Sequence, residues 1–502
     1  MLVLIAQALA LTPRTPLPPA PLVVPRASAA AHQGSPRLLV KLRDGERPSQ
    51  VDATLRPLIH HDVSGLVERA QRRSGRAQPD YATLFQVEVR GGAMAATAEA
   101  LADHGAVELA WASPGLVPPP RRPDPKTPEE SYLALQRYHL SDQGVGSRDA
   151  WKLGFTGKGV RISDVEYGLN LGHEDIPAGR VAREKGITPI NPFSEHHDHG
   201  TAVMGIAIAQ PDKAGIRGIA HGAEGGIYPI YTEQHGLRAA DAILKACGDS
   251  DIGDIVMLEM QTVAGTGYAP MEVEADVWMA TRTCVDAGIV IVAAAGNGTQ
   301  DLDGEPLSFW RQRGDSGAIM VGAGRGAHGS REAESFSNYG KRVDLQGWGS
   351  SVFSLGYGDH AMTDGDPDRS YTAQFGGTSA ATPMVAGAAA LLQQAARQQL
   401  GKPLDPDTLR QHLRSTGRKH QGPKRIGELP DVPRAIERLS RLQKGGGKAP
   451  ARDGKARRAR QAEAEPETAA PSACGSIGCA TGQGWMLVPL ALLGLTRRRR
   501  RS

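Results

Sequence analysis

Cysteine is scarce, with four residues in 502, and that excludes a small scaffold held together by disulfides. Cys247 and Cys284 stand in apolar helical text and read as buried free thiols; a bridge between them is the alternative. Cys474 and Cys479 lie apart, near the C-terminus. Aromatic residues make up only 5% of the chain, and neither sign of charge dominates, with 58 Lys and Arg against 54 Asp and Glu. The basic residues that cluster near the C-terminus are not interleaved with aromatics, so no nucleic-acid partner is expected. Long hydrophobic runs are missing as well. The N-terminal "MLVLIAQALALTPRTPLPPAPLVV" has an apolar stretch with small residues after it, but lacks the basic start of a standard signal peptide. The apolar stretch at residues 485–495 is shorter than the roughly 20 residues a membrane-spanning helix needs.

Glycine (61) and proline (35) punctuate the rest. Residues 1–36 read as an export leader and a Pro- and Ala-rich lead without fixed structure. Residues 37–116 alternate strand-like runs ("RLLVKLRD", "LFQVEVR", "VELAWAS") with helical spacing, which predicts a small α+β unit. Residues 117–135, continuing "GLVPPPRRPDPKTPEE", form a linker, because proline removes donors and stops both helix and ladder. In residues 136–443, "GVRISDVE", "GGIYPIY", "DIVMLEM", "GIVIVAAAG" and "AIMVGAG" are apolar strand runs bounded by glycine. Helical stretches such as "GTAVMGIAIAQ" and "MEVEADVWMATRTCVDAG" lie between them. This alternation predicts an α/β fold, a parallel sheet with helices on both faces. Residues 444–472 are charged and of low complexity, hence a flexible spacer, and 473–502 form a tail.

Three segments carry chemistry. In "FGGTSAATPMVAGAAALLQQA" a Gly-Gly-Thr-Ser turn feeds an Ala-rich helix, so Ser379 sits where backbone N–H groups are free and the helix dipole favours an anion. It reads as a nucleophile, or else as a helix cap. In "HHDHGTAVMGIAIA" His199 also stands at a helix start. His196, His197 and His199 together raise zinc, but no Cys or distant His-rich segment completes a four-ligand set, and a general base is the better reading. In "GIVIVAAAGNGTQD" a strand ends at Asn297, whose amide can donate to a developing oxyanion or, more plainly, ease a turn. A fourth segment, "VRISDVEYGLNLGHEDI", holds two acids. Asp164 and Glu166 are two apart on a strand and share a face.

In the order acid, His, Asn, Ser these segments resemble the subtilases, the subtilisin-like serine endopeptidases, over roughly residues 136–443. "HGTAV" and "GTSAATPMVAG" are the most specific matches, and "AWKLGFTGKGVRIS" and "SFSNYGKRVDLQGWG" agree with them. The resemblance implies a three-layer, seven-stranded parallel sheet and acyl-enzyme hydrolysis of protein or peptide substrates. It also implies a removable prodomain, which residues 37–116 loosely match. No organic cofactor is implied. Structural calcium is compatible with the family, yet no loop is specific enough to name ligands, and the acidic "TDGDPDRS" reads as a solvated loop. The tail at 473–502, with its Cys-bearing motif, apolar segment and terminal arginines, resembles the sorting tails of some Gram-negative bacteria. That implies export, sorting machinery as a partner, and anchoring at the cell surface.

The family writes Asp-Ser/Thr-Gly at the end of its first strand, and this chain has no such triplet. Laid without gaps, Gly168 takes the glycine position and Glu166 the charge-relay acid, with Asp164 two residues earlier. Glu166 is therefore the expected partner of His199, and Asp164 the alternative under a shifted register. An acid inside a core strand must be paired or protonated, and the two acids can titrate jointly. On the substrate-lining strand "MLEMQ" replaces the family's Ser-Leu-Gly-Gly; in that register Glu259 falls near the specificity pocket, where it would select Arg or Lys. Three other readings compete. An inactive relative used for binding or display is motivated by the missing triplet. The sedolisins are opposed by "HGTAV", since they carry Glu in place of that His. The kexin branch lacks its β-rich domain here.

Overall fold

The glycine-bounded apolar runs become neighbouring strands of one sheet. The computed structural model describes residues 11–15, 17, 37–51, 53–89, 94–113, 132–194, 197–210 and 215–444, all within a compact unit of residues 1–447. Most of the leader and of the linker, the spacer past residue 444 and the C-terminal tail lie outside the described residues. No helix among the described residues is long and apolar enough to cross a membrane.

The first element group is β1 (Arg37–Leu42), β2 (Leu55–Pro57), α1 (Ser64–Ser74), β3 (Leu84–Val87), α2 (Met94–Ala102) and β4 (Val107–Ser113). The strands form an antiparallel sheet in the order β2-β3-β1-β4. Alternation divides β1 between two cores. Leu38, Val40 and Leu42 pack with Ala98 and Leu101 of α2, while Leu39 joins Leu109 and Trp111 in a core that continues into the larger domain. Buried on both faces, β1 carries the apolar run Leu38–Val40 and then a buried Lys41, whose Nζ donates to the Leu42 carbonyl and the Thr83 hydroxyl at 2.6 Å each. The lead, expected to lack structure, is paired at Thr12. Its N–H donates to Gly75 O at 2.8 Å, and its carbonyl accepts from Ala77 N–H at 2.9 Å. The cause is a charge-assisted fork: both terminal nitrogens of Arg14 lie 2.6 Å from oxygens of Glu108.

The large sheet has seven strands, β5 (Arg161–Glu166), β6 (Val181–Arg183), β7 (Glu224–Pro229), β10 (Ile255–Leu258), β13 (Val290–Ala294), β14 (Ile319–Gly324) and β15 (Leu345–Trp348). Every pairing is parallel, in the order β15-β14-β13-β10-β5-β7-β6. One face carries α4 (Asp198–Ile208) and α8 (Thr378–Leu400), with α3 (Ser147–Lys152), α9 (Pro406–Thr416) and α10 (Val432–Lys444) outside them. The other face carries α5 (Ala239–Gly248) and α6 (Ala275–Asp286). The remaining elements are short. They are the ribbon β8 (Tyr231–Thr232) with β9 (Gly236–Leu237), the hairpin β11 (Gln261–Ala264) with β12 (Gly267–Pro270), the turn α7 (Ser308–Arg311), and a small sheet of β16 (Val352–Leu355), β17 (Ala361–Met362) and β18 (Ser370–Phe375). The fold is thus a three-layer α/β sandwich. Chain order reverses between β5 and β10, and in such sheets ligands bind at the carboxyl ends of the strands flanking that switch point.

One sequence expectation is corrected here. Cys247 and Cys284 are joined in a disulfide, with their Cα atoms 5.8 Å apart. Crossovers of one hand lay α5 and α6 side by side on the same face of the sheet, and each helix turns its cysteine toward the other. Helical text marks both thiols as buried but does not show that the two helices are neighbours.

Candidate active site

Glu166 ends β5, at the switch point. Its Oε1 accepts from the Tyr167 N–H at 2.7 Å, and its Oε2 lies 2.5 Å from Nδ1 of His199. With a carboxylate as partner, Nδ1 carries the proton and donates, which leaves Nε2 as the basic nitrogen. His199 is the second residue of α4 and only 6% exposed, and the edge of Phe375 packs against its ring at 5.6 Å between centroids. Two glycines let the helix start approach the strand end. A Cβ on Gly200 would lie 2.1 Å from the Gly168 carbonyl oxygen, and one on Gly168 would lie 2.2 Å from Nδ1 of His197. The Gly after the histidine and the Gly after β5 are therefore steric requirements of the same contact.

Ser379 is the second residue of α8, which packs against α4. The helix is preceded by its N-cap Gly377, whose φ of 90° and ψ of 175° suit glycine alone. Asn297 follows β13 and is tied to this helix start. Its Oδ1 accepts from both the N–H of Thr378 at 2.9 Å and its hydroxyl at 3.1 Å. With the oxygen so engaged, the amide NH₂ is the edge left to face the Gly377 turn, 3.2 Å from where a Cβ of that residue would stand. The Asn297 N–H donates to Oε1 of Gln261 at 2.9 Å. Sequence reading assigned no role to Thr378 or Gln261. The only available signal was their presence inside the quoted motifs, and the backbone–side-chain contacts that use them are tertiary. The structure thus joins Glu166 to His199 and sets Asn297 against the turn bearing Ser379. It places no hydrogen bond between Ser379 Oγ and the His199 ring among the described residues.

Asp164, two residues before Glu166, is fully buried and makes no hydrogen bond to His199. Burial, followed by the charge of Glu166, pushes its carboxyl well above the usual range. Glu259 behaves alike: burial first, then Asp164 and Glu166, raise its proton affinity. Both of its oxygens are buried without a hydrogen-bond partner, one residue past the end of β10. Among the described residues no group of three or more His, Cys, Asp or Glu could hold a metal ion; His196, one of the three histidines that raise zinc, lies outside the described residues. In the acidic loop Asp366 accepts from the Asp368 N–H at 2.9 Å, and Asp368 accepts from Nδ2 of the distant Asn170 at 2.9 Å.

The sequence profile of the subtilase family matches residues 157–429, more than half of the chain. The chain belongs to the subtilase family. This subtilase is 27% identical over 274 residues to subtilisin NAT of Bacillus subtilis subsp. natto, an alignment covering 53% of this chain and 64% of that protein. It is 28% identical over 293 residues to an intracellular serine protease of Paenibacillus polymyxa, covering 57% of this chain and 82% of the relative. The chain thus covers less than two thirds of the length of subtilisin NAT. Among solved structures, fervidolysin of Fervidobacterium pennivorans superposes with a TM-score of 0.54 at 18% identity, covering 85% of this chain and 63% of that one. The shared fold is what that likeness shows.

Proposed function

We propose that this subtilase is a serine endopeptidase acting on protein or peptide substrates. The observation that carries the reading is the Glu166–His199 hydrogen bond at the rim of the sheet where Asn297 braces the helix start holding Ser379. Ser379 Oγ attacks a peptide carbonyl while Nε2 of His199 takes its proton and later returns it to the leaving amine. Glu166 holds the ring in the required tautomer and stabilises the imidazolium. The Asn297 amide and the Ser379 N–H, free at the helix start, donate to the tetrahedral oxyanion. Hydrogen bonds of this kind often close only when substrate binds, which accommodates the open Ser379–His199 pair. A fluorophosphonate probe tests the reading. Wild type should be labelled and Ser379→Ala should not; absence of labelling in folded wild type would favour the inactive, substrate-binding relative.

Two further assignments go with this reading. The unit of residues 37–116 acts as a prodomain, a partner within the same chain. Its α1 lies against α5 and α6, and its contacts there are specific: Tyr81 hydroxyl to Thr283 at 2.7 Å, His61 to Asp241 at 2.7 Å, Arg69 to the Cys247 carbonyl at 2.8 Å. The protein is exported to the cell surface, where sorting machinery handles the C-terminal tail. A disulfide fits an oxidising compartment, and one relative, from a Thermus strain, is named an extracellular serine proteinase. Mass spectrometry of protein recovered from outside the cell, lacking residues 37–116, would support both assignments.

A further inference from the structure

Strand alternation sends Ile162, Asp164 and Glu166 of β5 toward α4 and α8, and Val165 toward the opposite face. On β10 Met257 shares the α8 face, and Glu259, two residues on, continues it. Three carboxyl groups therefore gather behind His199. Glu166 has two N–H donors, from Tyr167 and His199. Asp164 and Glu259 have none: all four of their oxygens are buried without a hydrogen-bond partner. The charged groups acting on them are Glu166 and, for Glu259, Asp164 as well. From the packed elements, α4 supplies His199, and α8 has no charged side chain before Arg397. A bare carboxylate in such a place costs several kcal/mol, and a carboxyl group avoids that cost by keeping its proton.

We propose that the triad acid is one member of a three-carboxyl cluster bearing a single negative charge, and that Asp164 and Glu259 are positioning residues whose neutral O–H dipoles turn toward Glu166. The inference rests on the triad reading above. A glutamate reaches the ring with one more rotatable bond than an aspartate has, so its carboxylate needs walls. Neutral carboxyls wall it in without repelling it. When His199 takes the proton from Ser379, the imidazolium–carboxylate pair forms in a dry site where such dipoles act strongly. Asp164 and Glu259 touch neither substrate nor ring and work only through Glu166.

Infrared spectroscopy and kinetics test this on the full chain. At neutral pH the carbonyl stretch of protonated carboxyl groups should weaken in Asp164→Asn and again in the Asp164→Asn/Glu259→Gln pair; other protonated acids cancel in the difference. This readout needs no activity and can be taken in a Ser379→Ala background. The apolar variants Asp164→Val and Glu259→Leu should lose about tenfold in kcat with little change in KM, and the amides should restore most of it. In the amides the acidic limb of the kcat/KM profile should move by less than about half a pH unit, since a neutral group replaces a neutral group. Unchanged infrared bands, a limb displaced downward by about a unit or more, or full kcat in the apolar variants would each overturn the proposal. Failure of the triad reading shows separately, as hydrolysis that survives Ser379→Ala.

Discussion

Oε2 of Glu166 lies 2.5 Å from Nδ1 of His199, across 33 residues of sequence. The contact joins the end of a strand to the start of a helix, and it answers which of two nearby acids meets the ring.

Glu166→Gln should therefore lose roughly four orders of magnitude in kcat, the size of effect seen when a triad acid becomes an amide and the ring takes the wrong tautomer. Asp164→Asn should lose far less. Single-turnover hydrolysis of a chromogenic peptide by the two variants checks this; a larger loss from Asp164→Asn would reverse the assignment.

If Asn297 is the oxyanion donor proposed above, Asn297→Ala should cost about 100- to 1,000-fold in kcat with KM nearly constant. Because Thr378 holds the amide oxygen by two hydrogen bonds, Thr378→Val should reproduce part of the loss by letting the amide turn. A matched rise in KM in either variant would argue for substrate binding instead.

Gly200→Ala places a methyl group 2.1 Å from the Gly168 carbonyl. α4 must back away from β5, at a cost of about 1–3 kcal/mol for an overpacked core. The Glu166–His199 distance must lengthen with it. Denaturant unfolding should show the stability loss, and kcat should fall more steeply than stability predicts.

Burial, then the neighbouring carboxylates, raises the proton affinity of Asp164 and Glu259 in the fold above that of carboxyls in the unfolded chain, which ionise above about pH 4. Between that pH and the raised folded values the native state binds more protons than the unfolded one, so stability falls as pH rises. Each group contributes up to about 1.4 kcal/mol per pH unit over that window. Asp164→Asn and Glu259→Gln remove their own shares, so each variant should gain on wild type as pH increases from about 4 to 8. Melting curves across that range check the sign; variants that lose ground with rising pH would contradict it.

The disulfide closes a loop between residues 37 apart. Replacing both cysteines with serine should cost about 3–4 kcal/mol, by loop-closure entropy in the unfolded chain. Equilibrium unfolding of the variant beside wild type measures it.

The sequence by itself determined the layering. Continuous apolar runs such as "GIVIVAAAG", bounded by glycine, suit a parallel sheet flanked by helices, and the segments around His199 and Ser379 carried the resemblance to the subtilases. It also narrowed the acid to two residues sharing a face, since side chains in a strand repeat every second residue. Tertiary structure decided the rest. Which acid reaches His199 depends on how closely α4 approaches β5, and that distance is set by two glycines 32 residues apart rather than by any local pattern. Cys247 meets Cys284 because two crossovers of the same hand lay their helices together. Glu259 comes within the influence of Asp164 and Glu166 because β10 pairs beside β5 with Met257 opposite Asp164. Local preference fixes which face a side chain takes; only the register between strands fixes what it meets there.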